Sequence, residues 1–397
     1  MNIKIVFITK SLCYHQVYLS DDLFCIYGDN FHFIQTREPL DFRVKAHQEG
    51  FERSYLRGYS RNENERKECI ELLRNADVII VGEASRRITK FFNKKAILLE
   101  YSERLFKKEL DDYSYFHRIK RRLMLLAKKI FPRCKKRYLL SAGAYTLLDY
   151  KKVGLYSEKN AFVWGYFPIH YEYDIDDLLK KKENNSKLTI VWANRLKIFK
   201  HPETAIEVAN FLRSKNVNFV LHIIGDGDEK AGESKKTIVE MIKNYHLNDN
   251  VIVHGKLPSE EVLDYYKECD IALFTTSFCE GWGVGLNEAM NAGCAVVSSH
   301  SVGSARYLIK NGVNGFLYEY GNNQSLFDIM YKLVNDKDLR KKLGKKAYET
   351  ISTVWNCHTA SKRLSELINC ILNNVPTIYT EGPCSKAKLI SEKYENK

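Results

Sequence analysis

Short apolar runs alternate with longer stretches in which apolar positions recur every three or four residues. The first series opens with "IKIVFI" (3–8) and continues through "FHFIQT" (31–36), "DVIIVG" (77–82), "AILLEY" (96–101) and "RYLLSA" (137–142). Helical patterns separate these runs, as around "NERKECIELLRNA" (64–76). Continuous apolar runs spaced by helices predict parallel β-α units whose strands are covered on both faces. A second series starts at "KLTIVWA" (187–193) and passes through "NFVLHIIG", "NVIVHG", "IALFTT" and "CAVVSS" (294–299). Between the two, "DIDDLLKKKENNSK" (174–187) is charged and then polar without a strand period, and reads as the interdomain link. The expected class is therefore α/β, with two Rossmann-like doubly wound domains facing a cleft. The N-terminal domain is expected over 1–168 and the C-terminal domain over 187–355. A helix at 356–375 should pack back toward the N-terminal domain, and 376–397, polar and lysine-rich, should form a loose tail.

Composition narrows the class. Apolar residues make up 45% and charged residues 28% of the 397 positions, which suits a globular protein with a proper core. The opening "MNIKIVFITK" is a strand pattern without the apolar run and cleavage site of a signal peptide. No window approaches 18 uninterrupted apolar residues, so a membrane span is not expected. Ten cysteines stand singly, none in a C-x-x-C pair, which argues against a structural zinc or a disulfide framework. The expected setting is the cytoplasm, with reduced thiols.

Charge changes the picture more. Residues 1–168 hold 17 Lys and 15 Arg against 8 Asp and 12 Glu, a balance of +12 that leaves only +1 of the total +13 for the rest. Within that half, "RIKRRLMLLAKKIFPRCKKR" (118–137) carries ten basic residues and no acidic one. Its apolar members Ile119, Leu123, Leu126, Ile130 and Phe131 fall at steps of three and four, the pattern of a basic amphipathic helix. Such a helix can bind an anionic membrane or a lipid-linked phosphate, or it can present a solvated face on a core-packed helix. Nucleic acid is not the expected partner, because neither an aromatic-interleaved RNA motif nor a DNA-reading helix accompanies the charge.

The candidate chemistry lies in the second half. "CEGWGVGLNEAMNAGCAVVSS" (279–299) sets Glu280 and Glu288 eight positions apart, with glycines at 281, 283 and 285. Glu280 should follow the carboxyl end of a buried strand, and Glu288 should reach the same site from a helix. The glycines let backbone approach a ligand and aim N–H groups at anionic oxygens. A carboxylate there can accept hydrogen bonds from two vicinal hydroxyls of a sugar or ribose. The bland alternative is two surface glutamates. "WANRLKIFKHPETAIEVANFL" (192–212) places Arg195 and Lys200 before a helix starting near Pro202, two cations suited to a diphosphate or, in the plain reading, to a solvated helix entry. "HIIGDGDEK" (222–230) could offer carboxylates to a metal, but reads as a strand-to-helix turn.

In this order the motifs resemble the retaining glycosyltransferases of family 4, which have the GT-B fold. The resemblance covers roughly residues 187–360 and rests on "NRLKIFKHPE", "IIGDGDEK", "VHGKLPSEEVLDYYKECDIALFTTS", "EGWGVGLNEAMNAGCAVVSS" and "VGSARYLIKNGVNGFLYEYGN". It implies that Glu280 contacts the donor sugar and Glu288 the ribose of the nucleotide. Arg195 and Lys200 would hold the diphosphate, and Lys256 and Leu257 would lie by the base. Gly281, Trp282, Gly283 and Val284 would offer amides to phosphate and sugar. The first half departs from the family's usual glycine pair after the first strand, since "TKSLCYHQVYLSDDL" (9–23) contains none. That loop, "EYSERLFKK" (100–108) and "WGYFP" (164–168) look similar to a subgroup of bacterial capsule and surface-polysaccharide transferases. His15 and Gln16 become candidates to face the cleft, and Glu103 a candidate near the reacting carbon.

The resemblance implies transfer of a hexose or N-acetylhexosamine from a nucleotide sugar, UDP-linked, to an acceptor hydroxyl on a lipid-linked surface-polysaccharide precursor. No metal or other cofactor is expected, because the two cations and a helix N-terminus stabilise the leaving diphosphate. The protein should then sit peripherally on the inner face of the cell membrane. A GT-B nucleotide-sugar epimerase would share the architecture. So would a phosphorylase, although no pyridoxal lysine site is found, and so would a non-catalytic nucleotide-binding assembly subunit.

Overall fold

The computed structural model describes residues 3–44, 49–106, 134–227 and 232–394. These divide into two compact units: the described residues up to 106 with 134–169 and 354–391, and residues 170–227 and 232–353 with 392–394.

In the first unit β1 (Ile5–Thr9), β2 (Phe31–Gln35), β3 (Leu56–Gly58), β4 (Val78–Val81), β5 (Ile97–Ser102), β6 (Lys136–Ala142) and β7 (Ala161–Trp164) form one sheet. Its order is β3-β2-β1-β4-β5-β6-β7, and every neighbouring pair is parallel. All five residues of β1 are buried, as a strand covered on both faces requires. One face is closed by the helix Glu63–Asn75, whose Cys69 and Leu73 pack with Val6, Ile8, Ile34, Ile79 and Leu98. The helix Cys357–Leu372, capped by Asn356, belongs to this unit and packs on the helix Tyr14–Tyr27, with Tyr27 Oη donating to Ser365 Oγ at 2.8 Å.

In the second unit β8 (Leu188–Ala193), β9 (Phe219–Ile224), β10 (Val251–Gly255), β11 (Ile271–Phe274), β12 (Ala295–Ser299) and β13 (Phe316–Tyr318) run in the order β10-β9-β8-β11-β12-β13, again all parallel. Both sheets thus share one doubly wound plan, in which the order reverses beside the first strand. Among the described residues no helix is long and apolar enough to cross a membrane.

Two expectations are corrected. The supposed link 174–187 is part of the second unit, which begins near residue 170: Ile175–Glu183 is a helix capped by Asp174, with Leu179 and Lys182 buried. The Lys182 ammonium donates to the carbonyls of Tyr266 (2.9 Å) and Cys269 (2.8 Å), so a residue that read as linker charge caps the end of a neighbouring helix. The tail is not loose through residue 394. Residues 384–387 run antiparallel along the outer edge of β7, with Val163 N–H donating to Ser385 O at 2.8 Å and Ala387 N–H to Ala161 O at 3.0 Å. An edge strand offers unpaired N–H and C=O groups, and this segment satisfies them while burying Cys384 completely. Three strands, β3, β7 and β13, went unread; β3 and β13 have only three residues each. Most of the basic stretch 118–137 lies outside the described residues, and Lys136 and Arg137, in its described end, open β6.

Candidate donor-binding site

The second sheet reverses its order between β8 and β11, and the loops leaving these neighbours carry the cations and carboxylates singled out above. After β8 come Arg195 and then a 3-10 turn, Ile198–Lys200. His201 follows in the left-handed region at φ 50°, and Pro202 opens the helix Pro202–Ser214 where its missing N–H costs nothing. After β11 come Thr275, Thr276 and Ser277, all buried. The Thr275 hydroxyl faces the carbonyls of Lys200 at 2.7 Å and His201 at 2.8 Å, and accepts from Trp192 Nε1 at 2.8 Å. Ser277 N–H donates to Phe199 O at 2.9 Å. These bonds staple the turn that carries Lys200 to the loop that carries Glu280.

Lys200 and Glu280 meet directly as an ion pair, with the lysine side chain 6% and the glutamate side chain 18% exposed. Gly283, at φ 90°, caps the helix Val284–Asn291, and a methyl group there would lie 3.0 Å from Val302 Cγ1 and 3.4 Å from Glu280 Cγ. Gly281 is buried and half-buried Val284 begins the helix. Trp282 is fully buried and its Nε1 donates to Asn287 Oδ1 at 2.8 Å, so its indole serves the core and cannot contact a donor as a side chain. Glu288, half-buried, projects from the helix near Tyr266. Burial first, and the Glu288 carboxylate second, push the Tyr266 phenol well above its ordinary range.

The carboxyl ends of β8, β9 and β10 are stitched into one ledge. Leu196 N–H donates to Asp226 O at 3.1 Å, and Gly225 N–H to Gly255 O at 2.7 Å. Only glycine fits at 225, where φ is 133° and a Cβ would fall 1.8 Å from Asn194 O. On this ledge Arg195 and Lys256 are exposed and Leu257 is half-buried. Asp226 accepts from Gly227 N–H at 2.9 Å, which holds its carboxyl below the usual range, and lies 3.4 Å from Lys235 Nζ. The described part of the D-G-D is therefore a strand-end turn; Asp228 lies outside the described residues. Behind the ledge, His222 Nδ1 and His254 Nε2 are 2.9 Å apart, and burial first, then the neighbouring ring, lower His222 to about 4.

In the first unit, His15 stands at the start of the helix after β1 and Glu103 just beyond β5. Tyr166 brings them together: its hydroxyl donates to Glu103 Oε1 at 2.8 Å and its ring lies 4.6 Å from that of His15. Gln16 is buried and accepts from Cys13 Sγ at 3.2 Å, so its amide is engaged inside the unit.

Residues 174–350 match the family model described as "Glycosyl transferases group 1". The second unit is a group 1 glycosyl transferase domain. The chain is similar to two amylovoran biosynthesis glycosyltransferases of Erwinia amylovora. It is 30% identical to AmsK over 61% of this chain and 58% of that protein, and 24% identical to AmsD over 54% and 57%. It thus spans little more than half the length of these curated relatives. Its fold is that of the Anabaena protein HepE, solved in complex with UDP, at a TM-score of 0.67 and 16% identity over 92% of this chain and all of that one. Two parallel-sheet Rossmann-like units of this kind constitute the GT-B fold.

Within the group 1 domain, sequence reading missed Thr275 and Ser277. Their signal was present: three hydroxyl residues at the end of a buried strand must find partners, and the nearest unpaired carbonyls are those of the adjoining loop. In the first unit Tyr166, within "WGYFP", holds Glu103 through its phenol, a contact that no local pattern signals.

Proposed function

We propose that the protein is a retaining glycosyltransferase of family 4 that moves a hexose or N-acetylhexosamine from a UDP-linked donor to an acceptor hydroxyl on a lipid-linked surface-polysaccharide precursor. The observation that carries this reading is the Lys200–Glu280 pair, stapled into place at the point where the sheet order reverses. Ligands of open α/β sheets bind at such points. Lys200 and Arg195 supply cations for a departing diphosphate, Glu280 a carboxylate for sugar hydroxyls, and Glu288 one for the ribose. As the bond to the diphosphate lengthens, positive charge develops at the sugar and negative charge on phosphate oxygens. The two cations meet the latter without a metal, and the acceptor can attack from the face the diphosphate leaves, passing its proton to a phosphate oxygen. Glu280 orients the sugar and is not the nucleophile in this scheme. The polysaccharide names of the Erwinia relatives and the UDP complex of HepE support the choice of acceptor and donor class.

Purified protein incubated with UDP-glucose, UDP-galactose, UDP-N-acetylglucosamine and GDP-mannose should release nucleoside diphosphate from at least one uridine-linked donor. Release should persist in excess chelator. Release from none of them removes the transferase reading, and loss with chelator that manganese restores returns the metal role to the acidic turn at 226–228.

The basic stretch 118–137 supports reversible attachment to an anionic membrane, each cation near such a surface contributing about 1 kcal/mol. Sedimentation with anionic but not neutral vesicles is expected, weakening as salt screens the attraction. Replacing Arg118, Lys120, Arg121 and Arg122 with Gln should release the protein and leave donor binding unchanged. Equal binding to neutral vesicles would assign the stretch to a solvated face.

A further inference from the structure

Lys200 is almost wholly buried, and the partner its ammonium meets is the carboxylate of Glu280, the group assigned above to sugar hydroxyls. Neither side chain reached the other by chance. The Thr275 hydroxyl and the Ser277 N–H fix the two loops to each other. Burying two charges costs desolvation that roughly offsets their attraction, so such a pair adds little to folding. It does, however, put a carboxylate where the donor's phosphate oxygens must come to use the lysine.

We infer that the pair is a partner exchange that discriminates intact nucleotide sugar from free nucleoside diphosphate. This rests on the donor-site reading given above. A diphosphate can reach Lys200 only by displacing Glu280. With an intact donor, the displaced carboxylate accepts hydrogen bonds from the sugar hydroxyls, so both charges keep partners. With a nucleoside diphosphate alone, Glu280 loses its lysine, gains no hydroxyl, and faces the extra negative charge of the terminal phosphate. Glu280 is thereby a specificity-determining residue that weakens product binding, and Lys200 and Glu280 re-pair as the diphosphate leaves.

Calorimetric titration of the full chain and of Glu280→Gln with UDP and with UDP-glucose tests this. The amide keeps the side chain's shape and removes the charge. UDP should bind Glu280→Gln about tenfold more tightly than it binds the natural protein, the scale expected when a competing buried charge is removed. UDP-glucose should gain nothing or bind more weakly, because its hydroxyls lose an ionic acceptor. Glu280→Asp, which keeps the charge, should not reproduce the tighter binding of UDP, and matching circular dichroism spectra exclude a folding effect. UDP affinity that is equal or lower in Glu280→Gln overturns the exchange while leaving the donor site standing. Absence of binding by UDP, GDP and ADP to the natural protein overturns the donor site itself and the exchange with it.

Discussion

Lys200→Ala should lower turnover by about 100-fold or more, the loss seen when a fixed charge facing a developing anion is removed. The expectation is sharper for Lys200 than for Arg195. Lys200 is buried and held by its backbone, since the Thr275 hydroxyl lies within hydrogen-bond distance of its carbonyl and that of His201. Its ammonium is therefore held at the site before the donor arrives, and only its carboxylate partner has to move. Arg195 is exposed on the neighbouring loop and must be ordered by the ligand, so Arg195→Ala should act mainly through donor KM. Folding should survive Arg195→Ala, a change at an exposed side chain. Lys200→Ala leaves the Glu280 carboxylate without its lysine and should also lower Tm, so turnover is compared at a temperature where both variants are folded. Steady-state rates with a donor that the natural protein hydrolyses decide the matter: near-normal turnover in Lys200→Ala would take this residue out of the mechanism.

The second large effect should come from a residue with no side chain at all. A methyl group at Gly303 would lie 1.8 Å from the carbonyl oxygen of Gly281 and 2.6 Å from its carbon, and neither is the end of a flexible side chain. The loop after β12 lies flush on the backbone of 280–282 and is bonded to it by Ser304 N–H and Trp282 O at 2.9 Å. Gly303→Ala must therefore push the Glu280 loop away from Lys200 or displace its own loop. Overpacking of this kind costs about 3 kcal/mol, a fall in Tm of roughly 6–12 °C for a domain of this size. UDP binding should be lost along with it. Gly321→Ala is the matched control: φ is 86° but nothing lies within 4 Å, so only backbone strain of about 1 kcal/mol applies. Equal melting temperatures for the two variants would show that the 303 loop is not packed as described.

Much of this arrangement was legible from local pattern. The buried strands β1 and β11 are continuous apolar runs, and the E-x7-E spacing with its glycines placed Glu280 on a loop and Glu288 on a helix, as observed. The direct meeting of Lys200 and Glu280 was not legible. The two residues are far apart in the chain, and only the sheet order, which sets β8 beside β11, makes them neighbours. Periodicity reports which face a residue takes and says nothing about which strand lies alongside. The glycines around Trp282 signalled a loop of available amides but not that its indole turns inward to Asn287. The segment 174–187 was misread because charge concealed an amphipathic helix, whose Leu179 and Lys182 face in through apolar stem and capped ammonium.

The first unit is assembled from both ends of the chain, since the helix Cys357–Leu372 and the strap along β7 belong to it, while the second unit is nearly continuous. A ribosome delivers these parts in order. When residue 169 emerges, the first sheet has its strands but lacks the helix that covers Tyr27 and the segment that closes its edge. The group 1 domain has its whole sheet and all its described helices some 180 residues later, ahead of the unit that precedes it in sequence. The nascent first unit therefore waits with an open β edge throughout synthesis of the second, the condition under which pairing with another chain competes with folding. Shortening the gene from its 3′ end would make that waiting state permanent, and the damage would fall on the half farthest from the cut.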